Sequence, residues 1–421
     1  AGIAAVYQHP TSYPHLTVAE NIFMGHEIIK NRMIQWKAMN TEAPDFEGAK
    51  TAIEAALQDE TTKDAADTWY VAGLVYEKIV DNDIYKSMVG GTANADLQGE
   101  SAIKSHDYYV VAYDKDLQPN AKGKVKPKYS KSIRKAMQKY YQQMVLVNYG
   151  INAYNNRDFE KAIRAFEVHT GIPDLAMFAG DENPFVKDTI YYQIRYYTAL
   201  AYERMDKSDK TLEIFEQIKD KGYEEVYIAQ HLSDLYKERF DTINYVRTLE
   251  EGYKRFPNEF FFLGNLINFM IFNGQEEEGI AYLDKAIEQD PTNAQYYDVK
   301  GSVMETLNRN EEAERFYDKA LQLDPMNVKA LNDKGRMVYN RAYKLEDQAV
   351  ATSDLKQADA LEKQALETYK ESLPYFEKAA ELNPEDADNL RTLRSVYYRL
   401  LRTDSSYQSK YDRVNAQLKA L

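Results

Sequence analysis

The residues best suited to chemistry in this sequence are its six histidines, and their spacing assembles no site. They stand at positions 9, 15, 26, 106, 169 and 231, and no pair has the spacing of a zinc-binding H-E-x-x-H helix. Ser105, His106 and Asp107 are the three residue types of a nucleophilic relay, but neighbours on a helix point about 100° apart. We therefore expect no metal site, no catalytic triad and no cofactor.

The first 28 residues, AGIAAVYQHPTSYPHLTVAENIFMGHEI, differ from the rest of the chain. They resemble the glutamine-loop region of a sugar-importer ABC ATPase, with Gln8 in the loop position and LTVAENIFMG after it. Such an ATPase also requires a G-x-x-x-x-G-K-[ST] phosphate loop, a signature segment and an acidic residue for magnesium. The sequence has none of these, so we do not expect ATP hydrolysis. Residues 1–28 are interpreted as a fusion or assembly artefact or, alternatively, as a natural extension.

Charge and composition exclude further classes of protein. With 53 basic and 67 acidic residues the net charge is −14, and such a surface repels the phosphate backbone of nucleic acids. The absence of cysteine excludes disulfides, thiolate metal sites and a cysteine nucleophile. The longest apolar run, Phe260 to Phe272, has 13 residues, whereas a membrane span needs about 20. We expect no nucleic-acid partner and no membrane span.

The sequence repeats itself with a period of 34 residues. YLDKAIEQDP, which begins at Tyr282, returns as FYDKALQLDP at Phe316, and a fixed period in this range is typical of stacked repeats. Small residues recur at one position of the repeat and large ones at two others. The small column holds Ala199, Ser233, Gly301 and Gly335, interrupted by Ile267; the large columns hold Tyr202, Tyr236, Met270, Met304 and Val338, and Phe215, Leu249, Leu283 and Tyr317.

Residues 294–327 illustrate how one unit is expected to fold. Each half has apolar residues at helical spacing, so the unit is predicted to be a pair of helices. Asparagine and glutamate in the break NRNEE are expected to cap and start the second helix. Gly301 and Ala313 remove bulk where the two helices meet, and Pro325 ends the unit. One such pair cannot bury its apolar faces alone, so successive pairs must stack.

These features resemble the tetratricopeptide repeat (TPR) family. WYVAGLVY places Trp69, Gly73 and Tyr76 in its signature, and NYGINAYNNRDFEKAIRAFE resembles a further unit. The resemblance implies an all-α fold, a right-handed superhelical solenoid of stacked antiparallel helix pairs. We expect divergent units with insertions at 29–191, regular units at 192–386 with a helix-lengthening insertion near 343–366, and capping helices at 387–421.

Insertions interrupt the period in three places. PDLAMFAGDENPF, after Ile172, is expected to project as a loop, and the lysine-rich stretch Gln118 to Lys131 is interpreted as a solvated loop or an anionic docking site. This stretch, the insertion before LPYFEKAAELNP and the 35 tyrosines are similar to a family of exported TPR proteins from Bacteroidetes-type bacteria. That resemblance implies the periplasm or the cell envelope, with the cytoplasm as the alternative.

The first helices of such an array would line a concave groove. Asparagine can bond a peptide backbone there, and Lys329 and Arg336 are expected to hold a carboxylate. Asp333 stands where the chaperone-tail clamp of some relatives has a basic residue. The predicted groove residues are Gln230, Asp234, Lys237, Phe261, Asn265, Asn268, Gln295, Asp298, Ser302, Lys329, Asn332 and Arg336.

The sequence therefore predicts a non-enzymatic scaffold that binds a protein or an extended peptide through the concave face. The alternative is a carbohydrate-handling or nutrient-uptake accessory component of the cell envelope, which exposed aromatic residues and the importer-like N-terminus favour. An enzyme is not expected, because the sequence offers only scattered carboxylates for catalysis.

Overall fold

The computed structural model describes residues 29–30, 33–34, 46–119, 123–180 and 183–421. The importer-like segment 1–28 lies outside these residues. The described chain starts with a short antiparallel pair, β1 (Ile29–Lys30) and β2 (Met33–Ile34), in which Ile29 is opposite Ile34. The remaining regular structure of the described residues is helical. The fold is all-α, as predicted, with stacked helix pairs.

The chain divides into two compact units, Ala1–Arg239 and Phe240–Leu421. The division falls inside the predicted block 192–386. Helices of the first unit are α1 (Phe46–Gln58), α2 (Ala66–Met88), α3 (Ala95–Asp116), α4 (Ser130–Gln143), α5 (Val145–Asn155), α6 (Phe159–Gly171), α7 (Thr189–Glu203), α8 (Ser208–Ile218) and α9 (Glu225–Glu238). Helices of the second unit are α10 (Thr242–Arg255), α11 (Phe260–Phe272), α12 (Glu276–Gln289), α13 (Ala294–Thr306), α14 (Asn310–Leu323), α15 (Val328–Ala351), α16 (Leu355–Leu382), α17 (Ala387–Leu400) and α18 (Gln408–Ala420).

Within each unit, consecutive helices pack as pairs, and neighbouring pairs pack on each other. In the second unit α13 packs on α14 and α15 on α16, while α14 contacts α15 and α16 contacts α17. In the first unit α5 packs on α6, which also contacts α7. This arrangement covers the apolar face that each pair leaves open.

Side-chain caps begin the first helices of several pairs. Asn293 accepts a hydrogen bond from the backbone N–H of Gln295 at the start of α13, and Asn327 accepts one from Ala330 at the start of α15. The prediction that an asparagine in NRNEE caps the second helix was wrong. Asn308 instead adopts a left-handed conformation with φ of 58°, which ends α13, and α14 begins without a side-chain cap.

Glycine in the small column allows the two helices of a pair to approach closely. A Cβ atom on Gly301 would lie 2.7 Å from Cε1 of Tyr317, whose side chain is fully buried. The same relation holds between Gly150 and Phe166, where the distance would be 2.4 Å. The predicted role of Gly301 is therefore confirmed.

The insertion after Ile172 does not project as expected. Two short 3₁₀ helices, Ile172–Asp174 and Ala176–Phe178, follow α6, and the side chains of Ile172, Met177 and Phe178 are buried in the core of the first unit. The prediction was wrong because proline and glycine suggested a loop, whereas the apolar residues between them supply core.

The insertion between Tyr343 and Leu366 extends both helices of its pair. α15 has 24 residues and α16 has 28, with only residues 352–354 between them. At the C-terminus, Tyr407, Tyr411, Val414 and Leu418 pack on the core formed by α16 and α17, whereas Leu421 is exposed. The last helix thus packs on the core of the two helices that precede it.

Two glycine substitutions in the second unit test the close approach of the two helices of a pair. Gly301→Ala should lower the free energy of unfolding by about 1–2 kcal/mol, because the buried ring of Tyr317 must move. Gly279→Ala is the matched control: its Cβ would meet nothing closer than 3.6 Å. There the better helix propensity of alanine should raise stability by about 0.5–1 kcal/mol. Equal effects in denaturant unfolding would contradict the packing argument.

Candidate functional site

The predicted groove residues lie on four helices, one in the first unit and three in the second. Those of the first unit are on α9: Gln230, Asp234 and Lys237. Those of the second unit are on α11, α13 and α15: Phe261, Asn265 and Asn268, then Gln295, Asp298 and Ser302, then Lys329, Asn332 and Arg336. Each set is spaced by three or four residues and so occupies one helix face.

Lys329 joins α15 to α13. Its Nζ lies 2.6 Å from Oδ2 of Asp298 and 2.8 Å from Oδ2 of Asp333. The Lys329 side chain is 58% exposed, whereas that of Asp298 is 1% exposed. Burial raises the pKa of Asp298, against the opposing hydrogen bond and charge of Lys329. The lysine therefore covers a buried carboxylate and leaves one face of its own stem to solvent.

Arg336 forms a second connection about two turns further along the same helices. Its guanidinium donates to both carboxylate oxygens of Glu305, at 2.8 and 3.0 Å, and to Oδ1 of Asp333 at 3.2 Å. The hydroxyl of Tyr317 also donates to Glu305, at 3.0 Å. Two parallel bonds to one carboxylate fix the orientation of the arginine.

The two cations expected to hold a ligand carboxylate are thus already paired within the chain. A ligand carboxylate would have to compete with Asp298, Asp333 and Glu305. We call the set Asp298, Glu305, Lys329, Asp333 and Arg336 the α13–α15 charge network; it contains two cations and three carboxylates. Its surface therefore has no surplus of positive charge to attract an anion.

Other predicted groove residues use their polar groups locally. Asn332 donates to the carboxylate of Asp386 at 3.1 Å, and Asn265 donates to the carbonyl oxygen of Phe261, on its own helix, at 2.9 Å. Asn268 is exposed on α11. On α9, Asp234 and Lys237 are exposed, and burial of the carboxyl group raises the pKa of Asp234. Asp298 and Lys329 are the two predicted groove residues on different helices that contact each other directly among the described residues.

Glu305 and the pairing role of Asp333 were not predicted, although the sequence contains a signal for each. Asp333 lies four residues after Lys329 and three before Arg336, which is ion-pair spacing on one helix. The pairs Asp298 with Lys329 and Glu305 with Arg336 are each 31 residues apart. In both pairs the separation is three residues shorter than the 34-residue period. Residues 31 positions apart can therefore face each other on successive first helices.

Acidic residues on the second helices link several pairs to the pair that follows. A carboxylate directly after a buried phenylalanine accepts a hydrogen bond from a tyrosine on the following first helix. These bonds join Tyr202 to Glu167 at 2.5 Å, Tyr236 to Glu216 at 2.6 Å and Tyr397 to Glu377 at 2.6 Å. At the same repeat position, Asp284 pairs with Lys300, and Asp318 pairs with Lys334 at 3.0 Å. We call these contacts the carboxylate links.

The Ser105, His106 and Asp107 triplet forms no relay, but the reason given from sequence was wrong in part. Nδ1 of His106 does lie 3.0 Å from Oδ1 of its neighbour Asp107, which also binds Arg164 through both oxygens. The hydroxyl of Ser105 is directed elsewhere and donates to the carbonyl oxygen of Gly73 at 2.7 Å. The histidine and the serine are therefore not connected.

His169 is a buried neutral histidine. Its side chain stacks on Tyr141 with ring centroids 4.5 Å apart, and the residue is 1% exposed. Among the described residues its Nδ1 has no hydrogen-bond partner. Burial lowers the pKa of His169 to about 4, although the charge of Asp188 acts in the opposite direction. The residue fills the core of the first unit.

The described residues contain no group of three or more histidine, aspartate or glutamate side chains arranged to hold a metal ion. Their helices include none with both the length and the apolarity needed to cross a bilayer.

Comparison with known proteins identifies the repeat. Residues 294–327, which form α13 and α14, match the family model described as tetratricopeptide repeat. The described residues fold as an all-α stack of helix pairs, and the pair α13–α14 is the one that matches this repeat.

Three solved structures of TPR proteins are similar to parts of this chain. YrrB, described as a TPR protein with an unusual peptide-binding site, is 16% identical, with 48% of this chain and 98% of that one covered and a TM-score of 0.32. A TPR repeats protein from Bacteroides fragilis NCTC 9343 is 18% identical, with coverages of 60% and 96% and a TM-score of 0.28. MamA from AMB-1 is 19% identical, with coverages of 47% and 94% and a TM-score of 0.27.

One relative of known sequence is a sugar-import ATP-binding protein, the class of protein that residues 1–28 resemble. The xylose import ATP-binding protein XylG of Geobacillus kaustophilus is 44% identical over 43 residues. The match spans 10% of this chain and only 8% of the length of that relative.

Two tyrosines of the second unit test the carboxylate links. Tyr397→Phe should lower the free energy of unfolding by about 1–3 kcal/mol, because it removes a hydrogen bond to the charged Glu377. Tyr253→Phe is the control, since its buried hydroxyl has no hydrogen-bond partner among the described residues. Removing that hydroxyl should leave stability unchanged or raise it. A loss of the same size in both variants, measured by urea unfolding, would contradict the assigned role.

The buried histidine predicts a pH dependence. The pKa of His169 is about 4 in the folded chain and about 6.5 when unfolded, so the unfolded state binds more protons between these values. Stability should fall as the pH drops from 6.5 towards 4. His169→Phe, which retains a ring for stacking, should remove about 2 kcal/mol of the loss between pH 7 and pH 5. Parallel stability curves for parent and variant would show that His169 is not responsible.

Proposed function

We propose that this protein is a non-enzymatic scaffold that binds a protein or an extended peptide along the exposed faces of the first helices of its pairs. The α13–α15 charge network is the observation that carries the proposal. The network fixes polar side chains of two successive first helices in one arrangement, and such a preorganised surface loses little side-chain freedom on binding.

The charge of the network favours one type of ligand. Carboxylates outnumber cations, and the cations are already satisfied, so the surface suits a polar segment with hydrogen-bond donors or basic groups better than an acidic tail. This refines the expectation from sequence that Lys329 and Arg336 hold a carboxylate. Asn268 on α11 and Ser302 on α13 would extend the same contact surface.

The test is affinity capture with the full chain and mass spectrometry, using variants that obstruct the surface without breaking the network. Asn268 with Ser302 would be changed together to arginine in one variant and to glutamate in another, because a bulky charge of either sign blocks a groove. Gln289→Glu and Gln289→Arg, on the exposed side of α12, are the matched controls.

A protein that the parent and the Gln289 variants capture, and that both double variants lose, supports a site on the first helices. Retention of every captured protein by both double variants would contradict it. Arg336→Glu is unsuitable as a probe, because it would place a third carboxylate beside Glu305 and Asp333 and disturb the fold.

The second candidate function is a carbohydrate-handling or nutrient-uptake accessory component of the cell envelope, with placement in the periplasm. The 43-residue similarity to a xylose import protein and exposed aromatic side chains such as Tyr85, Phe272 and Tyr398 favour it. Binding on a glycan array that is lost after substitution of these aromatics would support it. Absence of binding to every soluble and polymeric glycan would remove this candidate.

A further inference from the structure

A cavity of about 440 Å³ opens between α5 and α7 in the first unit, whereas the α13–α15 charge network belongs to the second unit. Its volume lies in the usual range of ligand pockets, about 300–1,000 Å³. Val147 of α5, Phe166 of α6 and Ile194 of α7 form its floor, and all three are buried. No residue proposed from the sequence as a groove residue lines it.

Two aliphatic side chains at the mouth of the cavity stay in contact with water. Ile151 on α5 is 47% exposed and Ile190 on α7 is 49% exposed. Together with the floor they form a continuous apolar surface that the described part of the chain leaves open. Burying such a surface under a ligand is favourable, because apolar area leaves water.

Aromatic contacts hold one end of the cavity in place. The rings of Tyr154 on α5 and Tyr197 on α7 meet edge to face with centroids 5.8 Å apart, and Tyr154 also packs against Phe159 at 5.5 Å. Tyr202 on α7 is bonded to Glu167 on α6, next to the floor residue Phe166. The helices that line the cavity are therefore fixed to each other.

Asn148 and Asn155 stand on the same side of α5, on either side of Ile151. Seven residues of helix place them about 10.5 Å apart along the axis. Neither side chain hydrogen-bonds to another described residue, and both are exposed. An extended peptide rises about 3.3 Å per residue, so two amides at this distance match backbone groups about three residues apart. An amide side chain can donate to and accept from such groups at once.

The cavity contains no counter-charge for an ionic ligand. The described residues that line it are apolar, aromatic or amide side chains, and none of them is charged. A fatty acid or a phosphate ester would leave its anionic head unpaired there. An uncharged peptide segment satisfies both the apolar floor and the two amides.

We propose that this cavity binds one bulky aliphatic or aromatic side chain of an extended, uncharged peptide segment, whose backbone bonds to Asn148 and Asn155. The proposal rests on the proposed function as an interaction scaffold and adds a second recognition surface in the other unit, with the opposite chemistry from the charge network.

The test begins with selection of random dodecapeptides displayed on phage against the full chain. Enriched sequences should share one large apolar residue in an uncharged context. For a synthetic copy with blocked termini, replacing that residue by alanine should weaken binding at least tenfold. Asn148→Ala and Asn155→Ala should each weaken binding about fivefold.

Ile151→Lys should abolish binding of the synthetic peptide, because it places a charge over the floor of the cavity. Ile190→Lys on the opposite wall is an independent second variant. Ile243→Lys is the matched control, since Ile243 is an isoleucine in the second unit and is 80% exposed. Circular dichroism of each variant checks that the fold is kept.

Three results would overturn the proposal. They are failure to enrich any peptide, equal binding by Ile151→Lys and the parent, and displacement of the peptide by laurate, which would assign the cavity to a lipid. If both lysine variants fail to fold, the alanine replacement in the peptide still decides the matter. The variants of Asn268, Ser302 and Gln289 test the scaffold proposal separately, so failure of one proposal is distinguishable from failure of the other.

Discussion

The carboxylate links set the register between successive helix pairs, and the remaining architecture depends on that register. Apolar packing drives the pairs together but is not directional, whereas a hydrogen bond from a buried tyrosine to a carboxylate permits one alignment. Burial raises the pKa of Tyr202 and Tyr397, and their bonds to Glu167 and Glu377 raise it further, so both hydroxyls remain donors at neutral pH. This accounts for part of the high tyrosine content and for the acidic residue after the buried phenylalanine in the second helix of several pairs.

Where the repeat position of tyrosine is taken by another residue, a different donor takes over. In the 34-residue repeat 294–327, Met304 occupies the position that Tyr202 and Tyr236 occupy in earlier repeats. There Lys300 supplies the contact to Asp284. In the following repeat, Lys334 pairs with Asp318 and also with Glu314, at 2.9 Å from the latter. The acidic position is thus kept in use while the donor varies, which is what a register constraint requires.

The sequence predicted the parts of the fold that follow from periodicity. The 34-residue period, the close approach at Gly301 and the extension of α15 and α16 all depend on spacing along one helix or on a fixed repeat. Features that depend on three-dimensional neighbours were missed. Met177 and Phe178 looked like part of a loop, and only the folded chain places them in the core. Lys329 and Arg336 are exposed on α15, but their spacing on that helix did not reveal that Asp298 and Glu305, each 31 residues earlier, already neutralise them.

Both proposed recognition surfaces rest on the same constraint. The α13–α15 charge network requires that two first helices keep one alignment, and the cavity between α5 and α7 requires the same of its walls. The two surfaces differ in chemistry because their lining differs: one has paired charges, the other isoleucines and unpaired amides. A scaffold with both can recognise a partner by a polar segment and by an apolar anchor in separate units.

The most direct test of this account is a double-mutant cycle on Tyr202 and Glu167, which join α7 to α6 beside the cavity. Stabilities of the parent, Tyr202→Phe, Glu167→Gln and the double variant would be measured by denaturant unfolding. The account predicts a coupling energy of about 1–2 kcal/mol between the two side chains, because the bond is partly buried and charge-assisted. Additive effects within about 0.3–0.5 kcal/mol would contradict it, because they would mean that the carboxylate links do not hold the pairs in register.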